Sequence, residues 1–395
     1  MTSVTRIESV DLFMLQAPDF DPARDPVCDT LLVRVRAGQH EGWGECEAAP
    51  FVSMAAFVTP ESHSTSRPVS ASVLGQRLET PDDIAAITRQ VFHDSMNILQ
   101  TPHIYSGVEM ALWDLLGKKL QQPVYRLLGY DRAFAKQAYV VVPFAQTPEE
   151  THLRMRKAHD AGYTAVKTGW NGFGGGNFRA DRNQLAAARE ALGPDTRLFL
   201  DAARIWRGDV NAAMRYGPLM DEFGVEWVEE PFDGAEFGAY AELSRLRGRQ
   251  RVAAGENIHS HAQALRLLDI ADLGVIQIDC GRIGGIGAAT QIARHADRTG
   301  AFYVNHTYTS HLALSAALQT FAGLPRHDLC EYPMDRASLS WKICRTHLPL
   351  DPDGWLTLPN LPGLGIEMDF AEVKSFIVEL EIRLGQTVIY RTPDV

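Results

Sequence analysis

The chain has 395 residues, 45% of them hydrophobic and 22% charged, with a formal net charge of -11. Such a composition buries a sizeable core and argues against disorder, and the negative balance disfavours nucleic acid and anionic membrane surfaces as partners. Five scattered cysteines (Cys28, Cys46, Cys280, Cys330 and Cys344) form no C-x-x-C pair, which removes zinc-finger and disulfide-framework readings and points to a reducing cytoplasm.

In chain order, the opening "MTSVTRIESVDLFMLQ" carries Glu8 and Asp11 where a signal peptide needs an apolar stretch, so none is expected. No run of about 18 apolar residues suggests a spanning helix. "TLLVRVRAG" (30–38) alternates like an antiparallel strand, and a Pro/Ser/Thr-rich stretch around 59–70 reads as loop. Residues 81–120, ending in "VEMALWDLLGKKL", repeat apolar residues at intervals of three and four and read as helices. Residues 1–135 thus make an α+β unit.

From Tyr139 the pattern changes to a short apolar run followed by a mostly helical stretch, with strand candidates "YVVVPF", "YTAVKTG", "RLFLDA", "VEWVEE", "RVAAGE", "LGVIQIDC", "AFYVNH" and "LCEY". This alternation predicts a parallel (β/α)8-type barrel over 136–350, its last connection (310–327) beginning as a helix and then loosening. In 351–395, the Pro/Gly-rich "DPDGWLTLPNLPGLGIEMD" leads to "SFIVELEIRL", which is expected to return to the N-terminal unit as strand material.

The last inward-pointing residue of successive runs is ionisable: Lys167, Asp201, Glu229, Glu256, Asp279, His306 and Glu331, at intervals of 34, 28, 27, 23, 27 and 25. Any one of these, taken alone, has a plain structural reading, a lone Asp after a strand being more often a helix N-cap. Seven in register at the rim where barrel sites form are costly to bury unless paired or bound to a cation. Asp201, Glu229 and Glu256 are neighbours with oxygen ligands only, which suits a hard cation such as Mg2+ better than zinc. The "HSH" at His259 to His261 has a spacing seen in metal sites, but it opens a helix and reads as capping or surface. Asp279 and His306 lie on consecutive strands, where a carboxylate orients an imidazole as general base.

These motifs resemble the enolase superfamily in its mandelate racemase subgroup, over nearly the whole chain. "VEMALWDLLGKKLQQPVYRLLG" (108–129) is similar to that family's segment closing the capping domain, and "VEWVEEPF", "AAGENI" and "IDCGRIGGIG" resemble its fourth, fifth and sixth strand ends. The resemblance implies a modified (β/α)7β barrel with a capping domain built from both termini, and one Mg2+ per subunit held by Asp201, Glu229 and Glu256. It also implies removal of a proton α to a carboxylate by His306 with Asp279. Lys167 would add a positive donor, and a protonated Glu331, its pKa raised, would donate to the other carboxylate oxygen. A His or Lys base working with Mg2+ on an ene-diolate is the known pattern of enolase-superfamily sites.

Departures from the family pattern select the reaction. The second strand of the family ends Lys-X-Lys, whereas this chain has Lys167-Thr168-Gly169, and "DAARIW" puts Ala203 and Arg204 where Asn often follows the ligand Asp. A racemase needs a base on each face of its substrate; syn dehydration of an acid sugar needs only His306, which removes the α proton and then protonates the departing β-hydroxyl. The expected activity is a cytoplasmic acid-sugar dehydratase, a hydro-lyase giving a 2-keto-3-deoxy acid. Alternatives are a hydroxy-acid racemase or epimerase, an inactive binding homologue, and a zinc hydrolase, the last opposed by the absence of H-x-H in "YVVVPF". The expected partner is a small-molecule carboxylate substrate, and a homo-oligomer is expected. Arg204 is a candidate contact for a distal hydroxyl or carboxylate, or else an ion-pair partner of Glu230. Trp170 and Trp206 are candidates for the pocket wall or for packing. Cap loops 16–30 and 47–68 are expected to set specificity. "NGFGGGN" is not a phosphate loop, since its Lys precedes the glycines; it reads as a loop over the vacated lysine position.

Overall fold

The computed structural model describes residues 4–18, 29–47, 49–246, 248–335 and 338–395. Strands β1 (Ser9–Gln16), β2 (Asp29–Ala37) and β3 (His40–Cys46) pair antiparallel in that order. They are followed by α1 (Pro50–Val58), α2 (Val69–Val73), α3 (Pro81–Asp94), α4 (Thr101–Leu120) and α5 (Val124–Leu127). Helix α1 lies just before the stretch that reads as loop and is not among the sequence expectations.

Helix α4 is buried without a break from Ile104 to Gly117, because one side meets the cap sheet and the other the barrel. Its approach to β3 is so close that a Cβ on Gly44 would lie 2.1 Å from the Gly107 carbonyl oxygen. Two acids fix the helix in place. Glu109 accepts from the amides of Ile286 (2.7 Å) and Gly287 (2.9 Å), and Asp114 accepts from those of Trp43 (2.9 Å) and Leu364 (2.8 Å). Glu109 thereby satisfies donors that the start of a barrel helix leaves open.

The barrel runs β4 (Lys136–Val141), α6 (Pro148–Asp160), β5 (Ala165–Gly169), α7 (Phe178–Leu192), β6 (Arg197–Asp201), α8 (Val210–Glu222), β7 (Val225–Glu229) and α9 (Phe237–Leu246). It continues β8 (Arg251–Ala254), α10 (His261–Ala271), β9 (Val275–Asp279), α11 (Ile286–Thr299), β10 (Phe302–His306), α12 (His311–Gln319) and β11 (Leu329–Glu331). All eight expected strands form, parallel, in the order β10-β9-β8-β7-β6-β5-β4-β11. The remaining seam, between β10 and β11, is bridged by a side chain: the Asn305 carboxamide donates to the Glu331 carbonyl at 3.0 Å and accepts from the Glu331 amide at 3.2 Å. This is the modified barrel with a cap that the resemblance implied.

Tyr139, Phe199 and Trp227, with Ala165, Ala253, Val275, Val304 and Leu329, fill the barrel interior. Phe199 and Trp227 stack with centroids 3.6 Å apart. The barrel interior is therefore packed with apolar side chains, and the ionisable strand ends gather at its C-terminal rim.

After β11 come α13 (Leu339–Lys342), β12 (Trp355–Leu356), α14 (Phe370–Phe376), β13 (Glu381–Leu384) and β14 (Thr387–Arg391). The tail first touches the barrel, where β12 pairs antiparallel with β4. It then reaches the cap: the Val378 amide donates to the Met14 carbonyl at 2.9 Å, and the Arg34 guanidinium to the Asp394 carbonyl at 2.8 Å. "SFIVELEIRL" is only partly strand: Phe376 ends a helix, Ile377 bridges antiparallel to Leu15 of β1 in the cap sheet, and β13 then pairs with β14 in a separate hairpin. Among the described residues, no helix is long and apolar enough to cross a membrane.

Candidate active site

Parallel register places neighbouring ends side by side. Asp201 on β6 lies opposite Glu229 on β7, and Asp279 on β9 opposite His306 on β10. Glu256 stands two residues beyond the end of β8, on the loop. One oxygen from each of Asp201, Glu229 and Glu256 comes within 4.8 Å of the others. Burial, and then Glu229, push Asp201 well above the usual carboxylate range; burial also pushes Glu229 up, against the opposing charge of Lys167. Glu256 is held down to about 2, because His306, Lys167 and Arg282 outweigh its burial. Three crowded carboxylates with no His or Cys among them fit a hard divalent cation, which relieves their repulsion and satisfies their oxygens.

Lys167 is buried between two acids, its Nζ 2.7 Å from Glu229 Oε1 and 2.7 Å from Glu331 Oε2. Burial opposes its charge, but Glu229 and Glu331 outweigh it and hold the ammonium firmly protonated. Glu331 lies at the same cluster. It accepts from Lys167, from the Tyr139 hydroxyl (2.9 Å) and from the Thr307 amide (3.1 Å). Burial works against its ionised form, yet Lys167 and His306 prevail and hold it below the usual range. An ionised carboxylate can only accept, so in this arrangement Glu331 anchors Lys167; the protonated donor form that the resemblance implied belongs to the site with the negative charge of a substrate beside it.

His306 Nδ1 and Asp279 Oδ2 are 2.7 Å apart, and Asp279 Oδ1 accepts from the Gly281 amide at 2.7 Å. With Asp279 as acceptor, Nδ1 carries the hydrogen and Nε2 faces the rim, 3.3 Å from Glu256 Oε2 and 3.9 Å from Glu331 Oε1. Burial lowers the imidazole pKa, but Glu256, Glu331 and Asp279 together push it up to about 9 with the acidic triad uncompensated.

The substrate candidates divide. Trp170 borders the site, with Lys167 Nζ 5.9 Å from its ring centre, and adopts a left-handed φ of 59°. Arg204 is half exposed and its Nε lies 3.8 Å from Glu230, the ion-pair alternative. Trp206 packs: it is buried and donates to the Gly174 carbonyl at 3.1 Å. The glycine-rich loop is fastened as well, the Gly174 amide donating to Asp181 (3.3 Å) and the Gly176 amide to the Tyr216 hydroxyl (3.1 Å). His259 meets His103 of α4, with ring nitrogens 2.8 Å apart, as a contact between cap and barrel. Of the expected specificity loops, residues 19–28 and 48 lie outside the described residues.

Gly169 has φ 146°, and a Cβ there would lie 1.9 Å from the Asp201 carbonyl oxygen. A lysine cannot occupy this backbone. Sequence reasoning missed four groups around the site: Tyr139, Glu47, Arg282 and Tyr308. Tyr139 opens the first strand run and was open to the same alternation argument; Glu47 arrives from the cap, and no periodicity announces it.

Residues 150–373 match the family described as enolase C-terminal domain-like, and residues 28–129 match the mandelate racemase / muconate lactonizing enzyme N-terminal domain. The crystal structure of a protein from Rhodobacter sphaeroides, named a predicted mandelate racemase, is 50% identical, with a TM-score of 0.95, over 98% of this chain and 100% of that one. A D-galactarolactone cycloisomerase from Agrobacterium fabrum is 29% identical over 85% of this chain and 87% of its own. An arabinonate dehydratase from Saccharolobus solfataricus is 27% identical over 66% and 68% respectively.

Proposed function

We propose, from the premise that the chain belongs to the mandelate racemase / muconate lactonizing enzyme family of enolase-like proteins, that it is a Mg2+-dependent dehydratase of an acid sugar, an aldonate or aldarate. The observation that carries this reading is the pair of faces around the site. One face has a complete His306–Asp279 dyad; the other has Gly169, whose backbone leaves no room for a second lysine. One base suffices for syn elimination, whereas 1,1-proton transfer calls for two.

Asp201, Glu229 and Glu256 would hold the Mg2+. When bound, the cation supplies positive charge beside the substrate carboxylate as the adjacent carbon loses its proton. Lys167, fixed by Glu229 and Glu331, presents a preorganised ammonium to the same developing charge. Asp279 holds Nδ1–H of His306, so Nε2 is the atom that takes the α proton. The C–H electron pair becomes a carbon–carbon double bond as the β C–O bond breaks. His306 gives the same proton to the leaving hydroxyl, which departs as water, and the resulting enol tautomerises to the 2-keto-3-deoxy acid.

The test is a library of aldonates, aldarates and their lactones incubated with Mg2+, with 2-keto acid read by semicarbazide. Lactones belong in it because the Agrobacterium relative is a D-galactarolactone cycloisomerase, and a ring oxygen β to the carboxylate can leave by the same elimination. Keto acid from at least one member is expected. The racemase reading draws on the name of the Rhodobacter relative. It gains if no member yields keto acid and a recovered acid has exchanged its α proton in D2O.

A further inference from the structure

Beside the base dyad, where cap meets barrel, Arg282 is the centre of a buried cluster. Its guanidinium grips both oxygens of Glu47, with Nη2 2.6 Å from Oε1 and Nε bonded to Oε2. It also donates to the Glu256 carbonyl at 3.1 Å, and Tyr308 gives its hydroxyl hydrogen to Glu47. The Glu47 and Arg282 side chains are only 4% and 12% exposed. The same Nε that Glu47 Oε2 holds stands 4.0 Å from Asp279 Oδ2, the oxygen that holds His306 Nδ1 at 2.7 Å.

A guanidinium fork binds a carboxylate best when both of its hydrogens are used, and a buried fork without a partner seeks another acid. Arg282 has two acids in reach and its fork is filled by one. We propose that Glu47 is a positioning residue that the cap supplies to the barrel: by filling the Arg282 fork it keeps the guanidinium off Asp279 and leaves Oδ2 to the His306 imidazole. Without the Glu47 carboxylate, Arg282 closes the remaining gap and competes with His306 for a single oxygen. The working dyad therefore depends on a residue of the cap that need touch neither substrate nor His306. The kinetic part of this inference rests on His306 being the reacting base; the geometric part does not.

The experiment has two arms on the full-length, Mg2+-loaded protein. In the first, without substrate, proton NMR follows the low-field resonance of the His306 Nδ1–H···Asp279 bond, assigned by its loss in His306→Asn. Glu47→Gln, which keeps the side chain's shape, is expected to shift or broaden it, and Glu47→Gln combined with Arg282→Met to restore it. In the second arm, on whichever acid the wild type turns over, Glu47→Gln should lower kcat on the order of tenfold with KM within about twofold, and the double variant should regain about fivefold. Lost packing alone cannot give recovery on removal of a second side chain. An unchanged resonance in Glu47→Gln, a double variant no better than the single one, or a rise in KM alone overturns the proposal. A wild type that turns over none of the acids counts against the dehydratase reading and leaves the NMR arm to decide this one.

Discussion

Gly169 and Asp201 are pressed together where β5 and β6 end, paired in register, with the Asp201 carbonyl filling the space that a Cβ on Gly169 would need. The absence of a second lysine is therefore built into the backbone that carries a candidate metal ligand. Gly169→Ala should cost roughly 3 kcal/mol or more in urea unfolding, combining a left-handed φ with a backbone clash. It should also weaken Mg2+ binding by calorimetry on the order of tenfold, by displacing Asp201. Gly169→Lys should do the same without creating racemase activity; gain of α-proton exchange in that variant contradicts this account.

Lys167 bridges two buried acids with a single positive charge. Lys167→Met leaves Glu229 and Glu331 facing each other, and unfolding without divalent ions should show a loss of about 3–5 kcal/mol. Lys167→Met with Glu331→Gln should recover part of it. Equal stability of the two variants would mean that Glu331 carries no charge in the folded protein.

The acidic triad predicts a thermal signature independent of substrate. Mg2+ at a hundred times its dissociation constant should stabilise the fold by about 2.7 kcal/mol. Asp201→Asn should abolish that rise in melting temperature, because one ligand charge is gone and Glu229 and Glu256 remain. The same rise in the variant would place the cation elsewhere.

Lys136 is buried at the start of β4, with the Leu324 carbonyl at 3.0 Å and the Phe321 ring centre at 4.7 Å as partners. Burial pushes its pKa down from 10.5 to about 8. Between those values the unfolded chain holds the proton that the folded chain has released, so the contribution of Lys136 to stability rises with pH across that window. Lys136→Met should thus be the more stable protein at pH 7, by denaturant titration, with the gap narrowing from about pH 8 to 10.5. A gap that does not change with pH would mean that the amine stays charged throughout.

Much of this was legible because a barrel repeats. Seven of the eight strand runs carry an ionisable residue at their end, and alternation plus parallel register turns that list into a ring, which is why Asp201, Glu229, Asp279 and His306 fall where the spacing put them. Contacts between distant segments carry no such period. The grip of Glu47 on Arg282 spans 235 positions, and the convergence of Tyr139, Lys167 and Thr307 on the Glu331 carboxylate joins segments far apart in the chain. Gly169 could be recognised as a missing lysine, but the reason nothing else fits there is a φ angle and a neighbouring carbonyl.

The most direct test of the one-base claim is turnover of the acid-sugar library in D2O with Mg2+, reading 2-keto acid and α-deuterium in recovered substrate together, for wild type and His306→Asn. One-base elimination predicts keto acid from wild type and a loss of about 10²-fold or more in His306→Asn. Deuterium exchange with inverted configuration and no keto acid from wild type, or undiminished keto acid from His306→Asn, would contradict it.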